Sequence, residues 1–246
     1  MKTIVFSNNK GGVAKTTTAA TMGELLAARG QRVLLMDLDA QANLSDTFGI
    51  DGNTTACDVL MHGTCDVVNI AKRLDIVPGS GQMAGVELTG KPQPLIANLR
   101  TFVQHIAHNY DFVLIDTPPS LGVVTIAAFA VADWLVIPTQ AEPYALTGLQ
   151  RILDVVNQVK STNNPGLNVA GVLLTKHNEK RRVTAAAEQA LRNHFGKLIF
   201  NATVHESVAV VEAVTTNHSV AAYAPKNRVA QDYSAAAAEL LKRTKN

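Results

Sequence analysis

Two kinds of hydrophobic pattern alternate along this chain. Thr3–Phe6 (TIVF), Val33–Met36 (VLLM), Phe112–Ile115 (FVLI), Leu135–Ile137 (LVI) and Val169–Leu174 (VAGVLL) are short apolar runs, as expected of strands buried on both faces of a sheet. Between them Thr16–Arg29, Pro94–His108, Leu121–Ala130, Leu146–Lys160 and Arg182–Phe195 read as helices. Arg29-Gly30, Asn109 and Asn163-Asn164-Pro165-Gly166 punctuate their ends. A last, alanine-rich helix is expected over about Val229–Lys242. This alternation predicts an α/β fold, a doubly wound and mostly parallel sheet with helices on both faces. No repeat, low-complexity tract or linker interrupts it, so residues 1–246 are expected to form a single domain.

Composition narrows the class. With 47% hydrophobic and 17% charged residues the chain can build a large core. Its apolar runs are too short to span a bilayer, and the opening MKTIVFS is too short for a signal peptide, so a cytoplasmic protein is expected. Cys57 and Cys65 have neither metal-ligand spacing nor a disulfide framework. The net charge of +2 conceals an asymmetry: residues 176–197 and 217–246 together carry +7, and the remainder −5. Such a distribution suits a surface facing a polyanion, and equally a set of solvated helix faces.

The first strand runs into Asn8-Asn9-Lys10-Gly11-Gly12-Val13-Ala14-Lys15-Thr16-Thr17. A glycine-rich loop between a strand and a helix can cradle phosphates with backbone N–H groups and the helix dipole. Lys15 is placed to reach β- and γ-phosphates, and the Thr16 hydroxyl to ligate Mg²⁺. The strict pattern G-x-x-x-x-G-K-[ST] is not met, because Asn9 and Ala14 stand where its glycines belong. Asn9 is expected to tolerate positive φ, and Ala14 to take helical angles at the helix entrance. Two carboxylates close later strands: Asp39, in Asp37-Leu38-Asp39, and Asp116, in Phe112-Val-Leu-Ile-Asp116. A carboxylate at a strand's C-terminal end is well placed beside phosphates, although an Asp after a strand also commonly caps a helix.

The run Lys-Gly-Gly-x-x-Lys-Thr resembles the deviant Walker A motif of the ParA/MinD family of ATPases. The resemblance extends over nearly the whole chain. Asp37–Asn43 is similar to switch I, Phe112–Pro119 to Walker B leading into switch II at Thr117–Ser120, Gln140–Leu149 to a ParA segment, and Tyr223–Tyr233 to the stretch entering the last helix. It implies a deviant P-loop NTPase fold with ATP and Mg²⁺ as cofactors. Lys10 would act in trans on the nucleotide of a partner in an ATP-sandwich homodimer, where alone it would read as a solvated lysine. Gly11, Gly12, Val13, Ala14, Lys15, Thr16 and Thr17 would bind phosphate. Asp39 would orient the attacking water near Mg²⁺, and Asp116 would hold the metal or its water.

Thr175-Lys176-His177-Asn178 stands where related GTPases carry [NT]-K-x-D. Asn178 suits adenine better than guanine, or caps a helix. The phosphate loop begins by residue 10, leaving no room for an N-terminal helix-turn-helix, as in the short partition type. A MinD-like membrane anchor is not expected, because Ala238–Asn246 has no Phe or Trp. The resemblance implies nonspecific DNA binding, with Lys226 and Arg228 touching phosphates and nucleoid association as the consequence. Ala209 and Glu206 depart from basic residues common in the family. A ParB-like or other adaptor would stimulate a weak ATPase that positions or segregates a plasmid, a chromosome or a protein complex. The alternatives are a MinD-like membrane-cycling ATPase and an ATP-gated binding protein with negligible turnover.

Overall fold

A computed structural model describes residues 1–178 and 182–245. The first half contains β1 (Lys2–Phe6), α1 (Lys15–Ala28), β2 (Val33–Asp37), α2 (Asn43–Thr47), α3 (Ala56–His62), β3 (Val68–Ala71), β4 (Leu74–Val77), α4 (Met83–Glu87), α5 (Pro92–His105) and β5 (Phe112–Asp116). The second contains α6 (Val123–Val131), β6 (Trp134–Thr139), α7 (Ala145–Thr162), β7 (Asn168–His177), α8 (Arg182–Phe195), β8 (Ile199–His205), α9 (Ala209–Val214), α10 (Val220–Tyr223) and α11 (Arg228–Arg243). The strands form one sheet in the order β3-β4-β2-β5-β1-β6-β7-β8, parallel except for the β3–β4 hairpin at one edge.

The continuous apolar runs work as buried strands must, with neighbours feeding opposite layers. Leu34, Met36, Val113, Ile115, Leu135 and Ile137 pack with α3 and α5–α7. Val33, Leu35, Leu114 and Val136 pack with α1, α9 and α11. Helix α1 lies close on β2, since a Cβ at Gly23 would stand 2.7 Å from Leu35 Cδ2. Helix α11 is tied in by Tyr233, buried with its hydroxyl 3.2 Å from Thr18 Oγ1, and at its other end by Arg243. The first strand therefore sits centrally, with β5 on one side and β6 on the other. Ligands of open α/β sheets bind at such a topological switch, beyond the strands' carboxyl ends.

The sequence-predicted strands and longer helices are all present, with ends shifted by up to three residues. Three strands, β3, β4 and β8, and the short helices α2, α3, α4, α9 and α10 were not expected. The basic stretches are also less of a surface than their charge implies. Arg192 donates to Phe200 O, Thr203 Oγ1 and Glu188. Arg243 donates to the carbonyls of Ala170, Lys197 and Ile199 and to Glu239, with its guanidinium over the Phe200 ring. Arg192 ties α8 to β8, and Arg243 ties α11 to β7 and β8. Lys180 and Arg181 lie outside the described residues.

Candidate functional site

The chain leaves β1 over the sheet's C-terminal edge and enters α1 at Lys15. Asn8 anchors the start of this loop: its Nδ2 donates to Pro138 O at 2.8 Å and its Oδ1 accepts from Lys10 N at 3.0 Å. Thr175 Oγ1 donates to Val13 O at 2.9 Å, and Thr18 Oγ1 to Ala14 O at 2.6 Å. The loop is thus fastened to β6, β7 and the first turn of α1, whose leading N–H groups have no intrahelical acceptors and favour an anion.

Two left-handed residues set the loop's curvature, Gly12 at φ +74° and Ala14 at φ +64°, ψ +34°. This corrects the expectation for Ala14, which caps α1 in the left-handed region and not with helical angles. Asn9 does not supply a positive φ. The turn itself dictates the dihedral. The strict pattern meets it with glycine, and this chain with alanine, at a cost of about 1–2 kcal/mol.

Beside the loop, β2 and β5 end in register with Asp37 opposite Asp116. Thr16 Oγ1 donates to Asp116 Oδ2 at 2.6 Å, while Asp116 Oδ1 is buried without a hydrogen-bond partner. Asp37 accepts from Ser45 N (3.0 Å), Ser45 Oγ (2.9 Å) and Asp39 N (3.2 Å). Asp39 is buried and accepts from Gln41 N at 3.0 Å; it caps this turn and not α2, whose N-cap is Ala42. Burial first, and then Asp37, raises the Asp116 carboxyl to about 8 despite Thr16 and Lys15. Burial likewise raises Asp37 to about 6. Burial lowers the Lys15 ammonium, opposed by Asp116 and Asp39.

Two acidic side chains, Asp116 and Asp39, thus act on one buried lysine, and Asp37 acts in turn on Asp116. The orphaned Asp116 Oδ1 beside the Thr16 hydroxyl fits a hard divalent cation. Mg²⁺ typically takes one or two carboxylates and completes its shell with water and substrate phosphates. Among the described residues there is no group of three or more His, Cys, Asp or Glu that could hold a metal ion.

Lys15, Thr16 and Asp39 open onto a cleft of about 810 Å³, lined at that end also by Gly11, Gly12, Ala14 and Thr17, whereas Asp37 and Asp116 are fully buried and not in its lining. Lys176, Val204–Val208, Val211 and Val214 line the other. Val208 and Val211, 77% and 70% exposed, offer an apolar wall there. Asn178 follows β7 and is not among the lining residues, whereas Lys176, at φ +49°, is. Lys10 is also outside: its ammonium forms an ion pair with Glu142, in the segment between β6 and α7. Lys226 and Arg228 lie at the entrance to α11. Arg228 Nη2 lies 2.7 Å from His205 Nε2, and His205 Nδ1 lies 2.7 Å from Asp232 Oδ2. Ala209 is buried in α9, facing the core. Sequence reasoning passed over Asp37, Glu142 and His205. The signal for Asp37 was present, in the first carboxylate of its own Asp-Leu-Asp run.

The central β1, its phosphate loop and the carboxylate-tipped β2 and β5 define a P-loop NTPase fold. A family model described as an AAA domain matches residues 1–169. The chromosome partitioning protein ParA of Caulobacter vibrioides is 36% identical to this chain over 257 residues, covering all of this chain and 96% of the relative. The sporulation initiation inhibitor protein Soj of Bacillus subtilis is 35% identical, covering 94% and 95%. The chain belongs to the ParA/Soj family of deviant Walker A ATPases. Among solved structures, cobyrinic acid a,c-diamide synthase from Mycobacterium smegmatis, with bound ADP and magnesium, matches with a TM-score of 0.85 at 26% identity, covering 100% of this chain and 96% of that one. The Pyrococcus furiosus cell division ATPase MinD matches at 0.81 and 25%, covering 98% of each. No helix among the described residues is long and apolar enough to cross a membrane.

Proposed function

We propose that this chain is an ATP-driven dimerisation switch of the partition type. It binds ATP with Mg²⁺ in the cleft, dimerises around two nucleotides, holds nonspecific DNA as the dimer and is released by slow hydrolysis that a ParB-like adaptor accelerates. The observation that carries the reading is the division of labour between two lysines of one loop. Lys15 is buried among Asp39 and Asp116, while Lys10 is half exposed and turned out of its own cleft.

Each part then has a task. The backbone N–H groups of Gly11–Thr17 and the Lys15 ammonium neutralise phosphate charge, which is the larger part of phosphoryl-transfer catalysis. Thr16 and Asp116 would hold Mg²⁺, which supplies charge neutralisation on the phosphate oxygens. Asp39, at the cleft's edge, orients the attacking water. Lys10 reaches the phosphates of the second subunit's nucleotide. Asn178 is assigned to the base end, and Lys226 and Arg228 to DNA phosphates. Partition relatives of similar length and a cleft that fits Mg²⁺ support this reading.

Light scattering with ATP tests it. Asp39→Ala should bind ATP and accumulate as a dimer, because water positioning is removed and the phosphate-binding groups are kept. Lys10→Ala should bind ATP and stay largely monomeric. A monomeric Asp39→Ala protein, or a normal Lys10→Ala dimer, refutes the assignment.

A further inference from the structure

The Lys10 ammonium is already occupied. It is paired with Glu142 beside a hollow of about 150 Å³ that is separate from the nucleotide cleft and includes Asn9, Val13, Tyr144 and Gly148 in its walls. The two segments pack directly: a Cβ at Gly148, in the first turn of α7, would lie 3.8 Å from Asn9 Oδ1. Ala145 N donates to Glu142 O at 3.0 Å, fixing the turn that presents the carboxylate. The pair is half exposed, at 51% and 48%, and Tyr144 beside it is 86% exposed, an aromatic anchor of the sort found at protein interfaces. A lysine curled onto its own β6–α7 segment is not extended towards another subunit. Binding Glu142 and binding a partner's phosphates are therefore alternatives for one ammonium.

We infer that Glu142 is a latch: it holds Lys10 against the free monomer and yields it when a second copy of this chain presents its nucleotide. Glu142 thereby sets how readily the ATP-bound chain dimerises. This rests on the trans role of Lys10 given above. A carboxylate offers Lys10 one negative charge in solvent, and a nucleotide triphosphate offers several in an enclosed interface, so the exchange runs towards the dimer. An exposed ion pair of this kind shifts an equilibrium by roughly 1.5- to 5-fold. Two latches open per dimer, so removing both should tighten dimerisation by roughly 2- to 25-fold.

The test is Glu142→Gln, which keeps the shape and removes the charge, with Asp154→Asn on the exposed face of α7 as a control for net charge. Dimer dissociation constants with Mg·ATP are measured by sedimentation at about 50 and 300 mM salt. Glu142→Gln should dimerise more tightly by the stated factor at low salt, and the gap to wild type should narrow at high salt, where the wild-type latch is screened. Asp154→Asn should match wild type. If Glu142→Gln is no tighter while Lys10→Ala fails to dimerise, the latch is wrong and the role of Lys10 stands. If Lys10→Ala dimerises normally, the role of Lys10 fails and the latch with it. If Glu142→Gln tightens a Lys10→Ala protein as much as wild type, the effect does not pass through Lys10 and the latch is overturned.

Discussion

Replacing Ala14 by glycine should stabilise this protein, against the usual direction of that change. Ala14 sits at φ +64°, ψ +34°, where its Cβ crowds the backbone, at a cost of about 1–2 kcal/mol that glycine escapes. Glycine also frees the unfolded chain, which takes back about 0.4–1 kcal/mol. Taking the middle of each range, the difference leaves a net gain of about 0.8 kcal/mol. In a chain of 246 residues this raises the melting temperature by about 2–3 °C, at roughly 2–4 °C per kcal/mol. The matched control is Ala97→Gly, at an exposed position inside α5, where the same chemical change should cost about 1 kcal/mol and lower the melting temperature. Thermal unfolding followed by circular dichroism, without nucleotide so that ligand binding does not enter, reads both. Opposite signs are required. If Ala14→Gly lowers the melting temperature as Ala97→Gly does, the loop is not strained at Ala14 and its left-handed turn is wrong.

Two more expectations concern the basic C-terminal region. Arg243→Ala removes the hydrogen bonds to the carbonyls of Ala170, Lys197 and Ile199, the pairing with Glu239 and the stack on Phe200, and should cost about 2–4 kcal/mol in urea unfolding. It should leave the salt dependence of DNA binding unchanged, whereas Arg228→Ala should lower the slope in filter binding by about 0.9 for each phosphate left without its arginine. Glu239 sets a pH effect. Burial acts to raise its carboxyl, but the N–H groups of Ala202 and Asn201, followed by Arg243, outweigh it and hold the carboxyl below the usual glutamate range. Its stabilisation is therefore complete above the ordinary glutamate pKa and drains away as pH falls through the depressed value. Glu239→Gln should flatten the acid limb of stability, measured by urea midpoints from neutral pH downward, and an unchanged limb would exclude this carboxylate as its source.

What the sequence discloses follows the range of the interaction involved. The strands β1, β2, β5, β6 and β7 were legible because a strand covered on both faces has no polar alternation to confuse it. Strand β3, four residues with every second one exposed, and the edge strand β8, with Asn201 and Thr203 in its middle, have no such run. Helices α2, α4, α9 and α10 span four to six residues, too few for a period of 3.6 to show. The same division holds in the site. Lys15 and Thr16 were legible from one loop, and Asp39 and Asp116 from strand ends. The dihedral of Ala14 was misjudged because residue type suggests a preference, while the turn imposes the angle. Arg192 and Arg243 were counted as surface charge because a composition cannot say that a guanidinium has found carbonyls. Glu142 was missed because its meeting with Lys10 is made by the fold, across β1 and β6.

The strand order explains why the chemistry gathers where it does. Because β5 inserts between β1 and β2, Asp116 stands beside the phosphate loop on one side and beside Asp37 on the other. Its two oxygens are thereby divided, one accepting from Thr16 and one left without a partner. Were β2 the neighbour of β1, Asp37 would face Thr16. Asp37 has its carboxylate satisfied by Ser45 and Asp39, leaving no comparable opening for a cation. The carboxylate that the topology sets beside the loop is the one that local hydrogen bonding leaves incomplete, and that incompleteness is what a magnesium nucleotide can fill.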